Sequence, residues 1–333
     1  MSLLDLPRRG YVKTQTRLEF LPRLTQALGG KVRIWVKHDD ELPGAAGGNK
    51  TRKLDFLVAD ALAKGADTLV TCGSIQSNHA RLTLSWAKKE GLDAHLVLEA
   101  PEGGHYDACA SGNNLLYKIL GVDGVTLAKP DQPIHEALQE AGDALQAAGR
   151  KPYLIVEGGS NALGSVGYVG CALEIFNQSY ALGIRPKAVF TPSGSAGTQA
   201  GLILGFSMLA NPIEVWGVNV SRTNEGQVPK VAALVSKTAE LLRLPDPGVG
   251  AVKNLDGYFA PGYALVNDAM KEAVFLFAQT ESILLDPVYS GKAAAGLIDQ
   301  VRKGVFPEGS DVVFLHTGGT PALYEYKDFF FKS

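Results

Sequence analysis

Short segments rich in β-branched residues alternate with helical segments along most of the chain, and this alternation restricts the possible folds more than any other feature. The first set of predicted strands covers residues 68–71, 95–98, 125–127 and 153–156, and the predicted helices among them include residues 113–120 and 135–148. Strands that alternate with helices are typical of a mainly parallel sheet with helices packed on its faces. The sequence therefore predicts an α/β protein.

The same alternation resumes after a glycine-rich segment, residues 158–167. Predicted strands then cover residues 188–191, 215–220 and 312–316, with helices that begin near Gln199 and cover residues 230–242. Because 333 residues exceed the usual size of one domain, two open α/β units are expected. No flexible linker marks their boundary, so we place the crossings near Gly47 and Gly158.

Composition and charge exclude several classes of protein. Hydrophobic residues make up 46% and charged residues 20% of the chain, as in ordinary globular proteins. The 32 basic and 34 acidic side chains are mixed along the chain, so no nucleic-acid partner is predicted. No stretch approaches the roughly 18 apolar residues of a membrane-spanning helix, and the first ten residues lack the apolar centre of a signal peptide. No membrane partner is predicted either.

Cysteine usage indicates a reducing compartment. Cys72, Cys109 and Cys171 are far apart and lack the spacing of metal ligands such as C-x-x-C. Neither a disulfide framework nor a metal site is predicted, and a cytoplasmic location is expected.

Loops that follow the strands of an open parallel sheet form its ligand-binding edge, so these loops carry most of the functional information. Residues 193–198 read Ser-Gly-Ser-Ala-Gly-Thr and lie between a predicted strand and a predicted helix. Small residues there leave backbone N–H groups free to surround a phosphate at the positive end of the helix. A plain tight turn is the ordinary alternative, and the G-K-[ST] sequence of a Walker loop is absent.

Lys50 occupies a second such position. It ends the sequence Gly-Gly-Asn-Lys, residues 47–50, and is followed by a predicted helix over residues 51–62. A lysine at a loop-to-helix junction can face a cleft, although an exposed lysine after a flexible turn is the commoner reason for such a sequence.

Two further loops combine polar side chains with a helix start. Residues 74–79, Ser-Ile-Gln-Ser-Asn-His, follow a predicted strand and present hydroxyl, amide and imidazole groups that could bind a substrate carboxylate. Residues 286–292 place a phenol, Tyr289, beside a hydroxyl, Ser290. A serine N-cap and a capped helix with a packed tyrosine are the respective structural alternatives.

Taken together, four segments resemble the 1-aminocyclopropane-1-carboxylate deaminase and D-cysteine desulfhydrase family in order and approximate spacing over nearly the whole chain. They are residues 47–54, 76–79, 193–198 and 286–289. The resemblance implies a pyridoxal-phosphate enzyme of fold type II, which is the tryptophan-synthase-β-like fold, with two α/β domains and the cofactor between them. It implies a large domain of residues 1–50 and 160–333, a small domain of residues 51–159, and a homodimer.

The resemblance also implies a role for each matching residue. Lys50 is expected to form the Schiff base with the cofactor, and Asn78 to contact the ring hydroxyl. The phosphate is expected to bind Ser195, Ala196, Gly197 and Thr198, and the other end of the ring to face Ser290 and Thr317. The substrate is expected to contact Gln76, Ser77, Asn78 and His79, and the catalytic residues are expected to be Lys50, Ser77, Tyr263 and Tyr289.

The predicted reaction is elimination from the β-carbon of a small, cysteine-like amino acid, with pyruvate and ammonia as products. In the deaminases of the family a glutamate pairs with the pyridine nitrogen, whereas this chain has Ser290 at that position, which favours elimination over ring opening. Thr317 also matches the desulfhydrase branch, because the deaminases tend to carry leucine at this position. D-cysteine, with sulfide leaving, and L-cysteate, with sulfite leaving, both remain open as substrates.

Several alternatives remain beside this hypothesis. A sulfonate would need a cation or several donors, for which Arg17, His79 and Arg81 are the candidates. Ring opening of 1-aminocyclopropane-1-carboxylate and a non-catalytic protein that binds pyridoxal phosphate are the functional alternatives. A dinucleotide-dependent oxidoreductase and a triad hydrolase are disfavoured, because the chain lacks G-x-G-x-x-G after an early strand and lacks G-x-S-x-G.

Overall fold

The computed structural model describes residues 5–100, 106–107, 109–210 and 212–331. Its strands are β1 Leu18–Phe20, β2 Arg33–His38, β3 Thr68–Ser74, β4 Asp93–Glu99, β5 Gly124–Leu127, β6 Pro152–Ile155, β7 Pro186–Ser193, β8 Glu214–Asn219, β9 Lys253–Leu255 and β10 Asp311–His316. Its helices are α1 Pro22–Ala27, α2 Lys50–Ala63, α3 Asn78–Lys89, α4 Asn113–Ile119, α5 Ile134–Ala147, α6 Ala162–Leu182, α7 Gly197–Ser207, α8 Asn224–Leu242, α9 Asp268–Glu281, α10 Ser290–Arg302, α11 Thr320–Leu323 and α12 Lys327–Phe331. Helices and strands alternate, as predicted.

The strands form two sheets. One has four parallel strands in the order β5-β4-β3-β6, and the other has six strands in the order β1-β2-β10-β7-β8-β9. In the larger sheet every pair is parallel except β1 with β2. The predicted α/β class with parallel strands is confirmed. The exact domain limits, residues 51–159 for the small domain, stay a prediction.

The interiors of the sheets are strongly apolar because helices cover their faces. In β10, which lies between β2 and β7, the residues Val312, Val313, Phe314 and Leu315 are all fully buried. In the smaller sheet the buried residues of β3 and β4 pack against α2 and α3 in a second core. These two cores hold the carboxyl ends of β3, β7 and β10 in fixed positions, and the candidate site lies at these ends.

The glycine-rich segment that separates the two sets of predicted elements is largely helical. α6 begins at Ala162, and its glycines Gly164 and Gly167 serve close packing rather than a turn. A Cβ atom added to Gly167 would lie 2.2 Å from the carbonyl oxygen of Arg52 in α2. Absence of a side chain at this position therefore allows α6 to approach α2 closely.

A buried ion pair anchors the beginning of α2. The Arg52 guanidinium lies 2.8 Å from an Asp39 carboxyl oxygen, and it also pairs with Glu174 of α6. Burial alone would raise the pKa of Asp39, but Arg52 holds it below its usual value, so the carboxylate stays charged. Two residues before Arg52 lies Lys50, whose backbone position is therefore well fixed.

No helix in the described part of the chain is both long and apolar enough to cross a membrane. Within the same residues, no three His, Cys, Asp or Glu side chains come together in a way that could hold a metal ion.

Candidate active site

A cavity of about 300 Å³ opens at the carboxyl ends of β3 and β7 and at the starts of α2 and α3. Most of the predicted site residues line this cavity, namely Lys50, Ser77, Asn78, His79, Ser195, Ala196, Thr198, Tyr263, Tyr289 and Thr317. Three predicted site residues do not line it: Gln76, Gly197 and Ser290. The structure therefore brings together side chains that are up to 267 positions apart in the chain.

Lys50 is the first residue of α2 and follows a sharp glycine turn. Gly47 has a φ of +64°, and a Cβ atom there would lie 2.0 Å from the carbonyl oxygen of Asp40. Only glycine fits this backbone, which directs the next residues into the cavity. The Lys50 Nζ lies 3.0 Å from Asn49 Oδ1, and the Asn49 backbone N–H donates to the Thr317 carbonyl at 3.0 Å.

The charge state of Lys50 suits a reactive amine. Burial lowers its pKa to about 8, although the carboxylates of Glu157 and Asp286 oppose this shift. Desolvation disfavours the ammonium form, so a larger fraction of the amine is neutral near neutral pH than for an exposed lysine. A neutral amine is the form that attacks a carbonyl carbon.

The predicted phosphate loop connects β7 to α7. Ala196 is the N-cap residue of α7, and its backbone is in the left-handed conformation, with φ of +78°. Its methyl side chain cannot accept a hydrogen bond from the N–H groups of the first turn. Ser195 Oγ lies 2.8 Å from Ser160 Oγ, to which the Gly197 backbone N–H donates at 3.2 Å. The positive end of this 11-residue helix makes the loop a candidate anion-binding position.

Lys53 is a site residue that the sequence reasoning missed. Its side chain is buried, and its Nζ donates to Ser160 Oγ at 2.9 Å and to the Gly158 carbonyl at 3.0 Å. Burial, together with the charge of Lys50, lowers the pKa of Lys53 well below its usual value. The signal in the sequence was the i, i+3 spacing, which places Lys50 and Lys53 on the same side of α2.

The loop after β3 serves two purposes. Ser77 caps α3 by accepting a hydrogen bond from the Ala80 N–H at 3.1 Å, and it also lines the cavity. Asn78 lines the cavity and accepts from Asn113 Nδ2 at 2.8 Å. Gln76 instead accepts from the Asn113 backbone N–H at 2.8 Å, which positions the turn. Its predicted contact with substrate stays a prediction.

His79 is a buried, neutral imidazole at the wall of the cavity. Thr71 Oγ1 donates to the Ile155 carbonyl and lies 2.8 Å from His79 Nε2, so Nε2 carries the proton and donates to the threonine. Burial lowers the pKa of His79 well below its usual value. Within the described residues its Nδ1 has no hydrogen-bond partner.

Tyr263 and Tyr289 form a pair at the cavity wall. Their hydroxyl groups hydrogen-bond to each other, and their rings meet edge to face with centroids 6.1 Å apart. Ser74 Oγ lies 3.4 Å from the Tyr263 hydroxyl. Burial raises the pKa of both phenols, so both are protonated at neutral pH and can donate a proton.

Ser290 and Thr317, predicted to face the same end of the cofactor ring, have different surroundings. Ser290 is fully buried, and its hydroxyl donates to Asp286 Oδ1 at 2.6 Å while accepting from the Asp286 N–H at 2.8 Å. These bonds hold the hydroxyl against Asp286, whose carboxylate also accepts from the Ser290 backbone N–H. Thr317 lines the cavity, so it is the better placed of the two. The predicted contact of Ser290 with the cofactor stays a prediction.

Two of the three cations considered for binding a sulfonate lie elsewhere. Arg81 is fully buried behind the Lys50 turn, where its guanidinium donates to the carbonyls of Ala45 at 2.6 Å and Gly47 at 3.0 Å. Arg17 is exposed and pairs with Glu19 and Glu41. Neither lines the cavity, because both guanidinium groups bond to nearer acceptors, although Arg81 Nε has no hydrogen-bond partner among the described residues.

The arrangement of Lys50, the anion-binding loop and the tyrosine pair can now be compared with known proteins. Residues 11–318 match the protein family described as "Pyridoxal-phosphate dependent enzyme". The chain belongs to the pyridoxal-phosphate dependent enzyme family. This membership confirms the predicted cofactor and fold type.

Relatives of known name align with this pyridoxal-phosphate dependent enzyme over nearly its whole length. A D-cysteine desulfhydrase of Klebsiella pneumoniae is 46% identical over 330 residues, which cover 98% of this chain and 99% of the relative. A D-cysteine desulfhydrase of Yersinia pestis is 45% identical over 326 residues, or 98% of this chain and 97% of the relative. The family resemblance drawn from the motifs is thereby confirmed.

Solved structures of similar fold agree with this assignment. The structure titled "Crystal Structure Analysis of the ACC deaminase homologue" has a TM-score of 0.89 and 36% identity, covering 98% of this enzyme and 96% of that chain. An O-ureido-L-serine synthase structure has a TM-score of 0.67 at 18% identity, which is a likeness of fold alone.

The residues of the cavity fit pyridoxal phosphate. Behind the anion-binding loop lies the buried amine of Lys53, whose pKa is lowered and whose hydrogen-bond acceptors, a carbonyl and a hydroxyl, carry no charge; a phosphate beside Ser160 would supply an anion that favours its charged form. Gly197 leaves the loop open, because a Cβ atom there would lie 2.7 Å from Ser160 Oγ and 2.8 Å from Lys53 Nζ. Lys50 would supply the amine that the cofactor aldehyde needs.

Proposed function

We propose that this enzyme is a D-cysteine desulfhydrase, which converts D-cysteine and water to pyruvate, ammonia and hydrogen sulfide. The observation that carries the proposal is the position of Lys50 in one cavity with the hydroxyl pair of Tyr263 and Tyr289. The identity of 45–46% to D-cysteine desulfhydrases over almost the full length supports the same activity. The reaction is a β-elimination that breaks a carbon-sulfur bond.

Lys50 serves as the anchor of the cofactor and as the base at the substrate Cα. When bound, pyridoxal phosphate supplies an electron sink conjugated to the substrate amine, which acidifies the Cα proton. The free Lys50 amine would accept that proton, because its pKa of about 8 lies near the working pH. Removal of this side chain should therefore abolish both roles.

The tyrosine pair assists departure of the sulfur. Both phenols are neutral at working pH because burial raises their pKa values. One phenol of the Tyr263–Tyr289 pair donates a proton to the leaving thiolate and becomes a phenolate. The other phenol stabilises this phenolate through the hydrogen bond between them. The sulfur then leaves as hydrogen sulfide or its anion.

The loop at the start of α3 binds the substrate carboxylate. The Ser77 hydroxyl and the Asn78 amide line the cavity at the positive end of this 12-residue helix. A carboxylate placed there accepts hydrogen bonds from backbone and side-chain donors and interacts favourably with the helix dipole. Its position would orient the Cα–H bond for removal of the proton.

Two alternative substrates have weaker support. L-cysteate would require a cation at the sulfonate, yet Arg17 and Arg81 lie outside the cavity and His79 is neutral. Arg222 lines the cavity, but its guanidinium already donates to the Gly194 carbonyl at 2.9 Å, beside the anion-binding loop. Ring opening of 1-aminocyclopropane-1-carboxylate is disfavoured because Ser290 provides no carboxylate.

We further propose a cytoplasmic homodimer. The family resemblance implies the dimer, and the three cysteines, all of which the structure describes as unpaired, are compatible with a reducing compartment. Light scattering coupled to size-exclusion chromatography tests the dimer. A mass near 71 kDa, about twice the 35.3 kDa of one chain, supports the dimer, and a mass near 35.3 kDa contradicts it.

The decisive experiment measures pyruvate, sulfide and sulfite released from D-cysteine, L-cysteine, L-cysteate and 1-aminocyclopropane-1-carboxylate by the cofactor-loaded enzyme. Equimolar pyruvate and sulfide from D-cysteine would support the proposal. The proposal would be overturned if D-cysteine gave no sulfide and either L-cysteate gave sulfite or the cyclopropane gave 2-oxobutyrate. Lys50→Ala should be inactive, whereas Lys64→Ala, at the exposed C-cap of the same helix, should retain full activity.

A further inference from the structure

Tyr263 is carried by a segment without helix or strand, residues 256–267 between β9 and α9, which we call the Tyr263 segment. Its backbone carbonyls cannot be satisfied by regular secondary structure, so other groups must bond them. Asn267 Nδ2 donates to the carbonyls of Tyr258 at 3.1 Å and Ala260 at 2.7 Å. Tyr326 donates its hydroxyl to the Ala264 carbonyl at 2.9 Å.

A lysine bonds two of the carbonyls in the four residues before Tyr263. Lys292 Nζ donates to the Gly262 carbonyl at 3.0 Å and to the Phe259 carbonyl at 3.2 Å. Gly262 directly precedes Tyr263, so this contact fixes the peptide from which the phenol extends. The Lys292 side chain is fully buried, which is rare for lysine.

Lys292 has no carboxylate within ion-pair distance in the described part of the chain, and Asp286 acts on it only at longer range. Burying an ammonium without a paired anion is costly. A neutral side chain of similar length would avoid this cost and still fill the space. We therefore expect the charged amine of Lys292 to hold these carbonyls firmly, because hydrogen bonds from a charged donor are roughly twice as strong as neutral ones.

The position of Lys292 links both members of the tyrosine pair. It lies in the first turn of α10, three residues after Tyr289, and the helix is rigidly capped by Asp286. Through its ammonium, the same turn that carries Tyr289 holds the segment that carries Tyr263. The hydrogen bond between the two phenols forms only when both segments are correctly positioned relative to each other. The two tyrosines also form part of the cavity wall.

We propose that Lys292 is a positioning residue for the elimination: its buried ammonium holds the Phe259 and Gly262 carbonyls and thereby keeps the Tyr263 hydroxyl against that of Tyr289. This rests on the proposed function only for the role of the phenols in departure of the sulfur. The holding of the Tyr263 segment is a property of the chain itself, and it can be measured without substrate.

The kinetic test is a double-mutant cycle with Lys292→Met and Tyr263→Phe. Lys292→Met should lower kcat for sulfide release at least about 10-fold with KM for D-cysteine nearly unchanged, because proton transfer by a positioned group typically contributes 10²–10⁴-fold. In the Tyr263→Phe background the same change should cost less than about 2-fold, since the phenol it positions is already gone. Equal losses in both backgrounds would overturn the proposal.

Two further variants keep the test interpretable. Lys292→Gln, which retains a neutral donor for one carbonyl, should lose less activity than Lys292→Met, and it replaces the latter if that variant does not fold. Lys237→Met removes an exposed lysine from α8 and should leave kcat unchanged. Bound pyridoxal phosphate, measured by its visible absorbance, should be equal in all variants. A loss of kcat that follows loss of cofactor would contradict a positioning role.

Hydrogen exchange separates this proposal from the proposed function. In Lys292→Met and Lys292→Gln, amide exchange should rise in peptides covering residues 257–266 and stay unchanged in α3, with or without substrate. Unchanged exchange in that segment overturns the proposal whatever the activity. If the unmodified enzyme releases no sulfide from D-cysteine, the proposed function fails, while increased exchange would still support the contact made by Lys292.

Discussion

The phenol oxygens of Tyr263 and Tyr289 hydrogen-bond to each other although the residues lie on different segments, one without regular structure and one at the start of α10. Both tyrosines are half-buried, and both line the cavity that Lys50 lines. A shared proton between two such groups can move toward a departing atom without free water in the site. Each tyrosine is therefore expected to matter more for the rate than for binding.

Tyr263→Phe and Tyr289→Phe should each lower kcat for sulfide release by about 10²-fold, because each removes one hydroxyl from the proton path but keeps the ring. KM and cofactor content should change little. Steady-state sulfide and pyruvate assays measure the effect. Tyr180→Phe alters a tyrosine that is 84% exposed and should be silent. Full kcat in both site variants would exclude the phenols as proton donors.

Lys53→Met should weaken pyridoxal-phosphate binding about 10- to 100-fold. The reason is loss of a charge-assisted hydrogen bond to the phosphate, a contribution of about 1.5–3 kcal/mol. Titration of the cofactor-free protein, followed by visible absorbance, gives the dissociation constant. Lys64→Met, at the exposed C-cap of α2, is the matched control and should bind normally. Equal affinity in the two variants would mean that Lys53 does not contact the phosphate.

Gly197→Ala should also impair cofactor binding, but for a steric reason. The added methyl group would lie within 2.8 Å of Ser160 Oγ and Lys53 Nζ, so both groups must move out of the anion-binding loop. Gly170→Ala is a suitable comparison, because this glycine lies in α6 with open space around it. There alanine should be neutral or stabilising by roughly 0.5–1 kcal/mol. Cofactor titration and thermal unfolding distinguish the two results.

Loss of the hydroxyl should lower stability at Ser290 and change the spectrum of the bound cofactor at Thr317. Ser290→Ala removes a buried hydroxyl from Asp286 and should lower the free energy of unfolding by about 1–3 kcal/mol, as measured in urea. Thr317→Val should leave stability nearly unchanged but alter the absorbance of the bound cofactor, since Thr317 lines the cavity. A spectral change in Ser290→Ala at normal stability would restore Ser290 as a ring contact.

The rate of cofactor capture by the cofactor-free protein should rise with pH and level off above about pH 8. Burial lowers the pKa of Lys50 to about 8 from the 10.5 of an exposed lysine, and only the neutral amine reacts with an aldehyde. Below that pKa the neutral fraction, and hence the rate, should rise about tenfold per pH unit. Stopped-flow absorbance measures this rate. A rate still rising tenfold per unit between pH 9 and 10 would contradict the lowered pKa.

The local sequence already determined the fold class and the most important ligand loops. Strand and helix periodicity depends on neighbouring residues, so the predicted elements near 68–71, 188–191 and 312–316 match β3, β7 and β10 within a few residues. Glycine and serine between β7 and α7 indicated an anion site for reasons of backbone geometry alone. The order of the motifs then identified the family and, with it, Lys50 as the cofactor lysine to test.

Tertiary structure decided what each polar side chain faces. Lys53, three residues from Lys50, contacts Ser160, which no local pattern reveals because the two are 107 positions apart. Arg81 and Ser290 have polar groups suited to a site, but nearer acceptors at Ala45 and Asp286 bind them instead. A sequence records which donors are available, whereas the packing of distant segments decides which acceptor each one reaches.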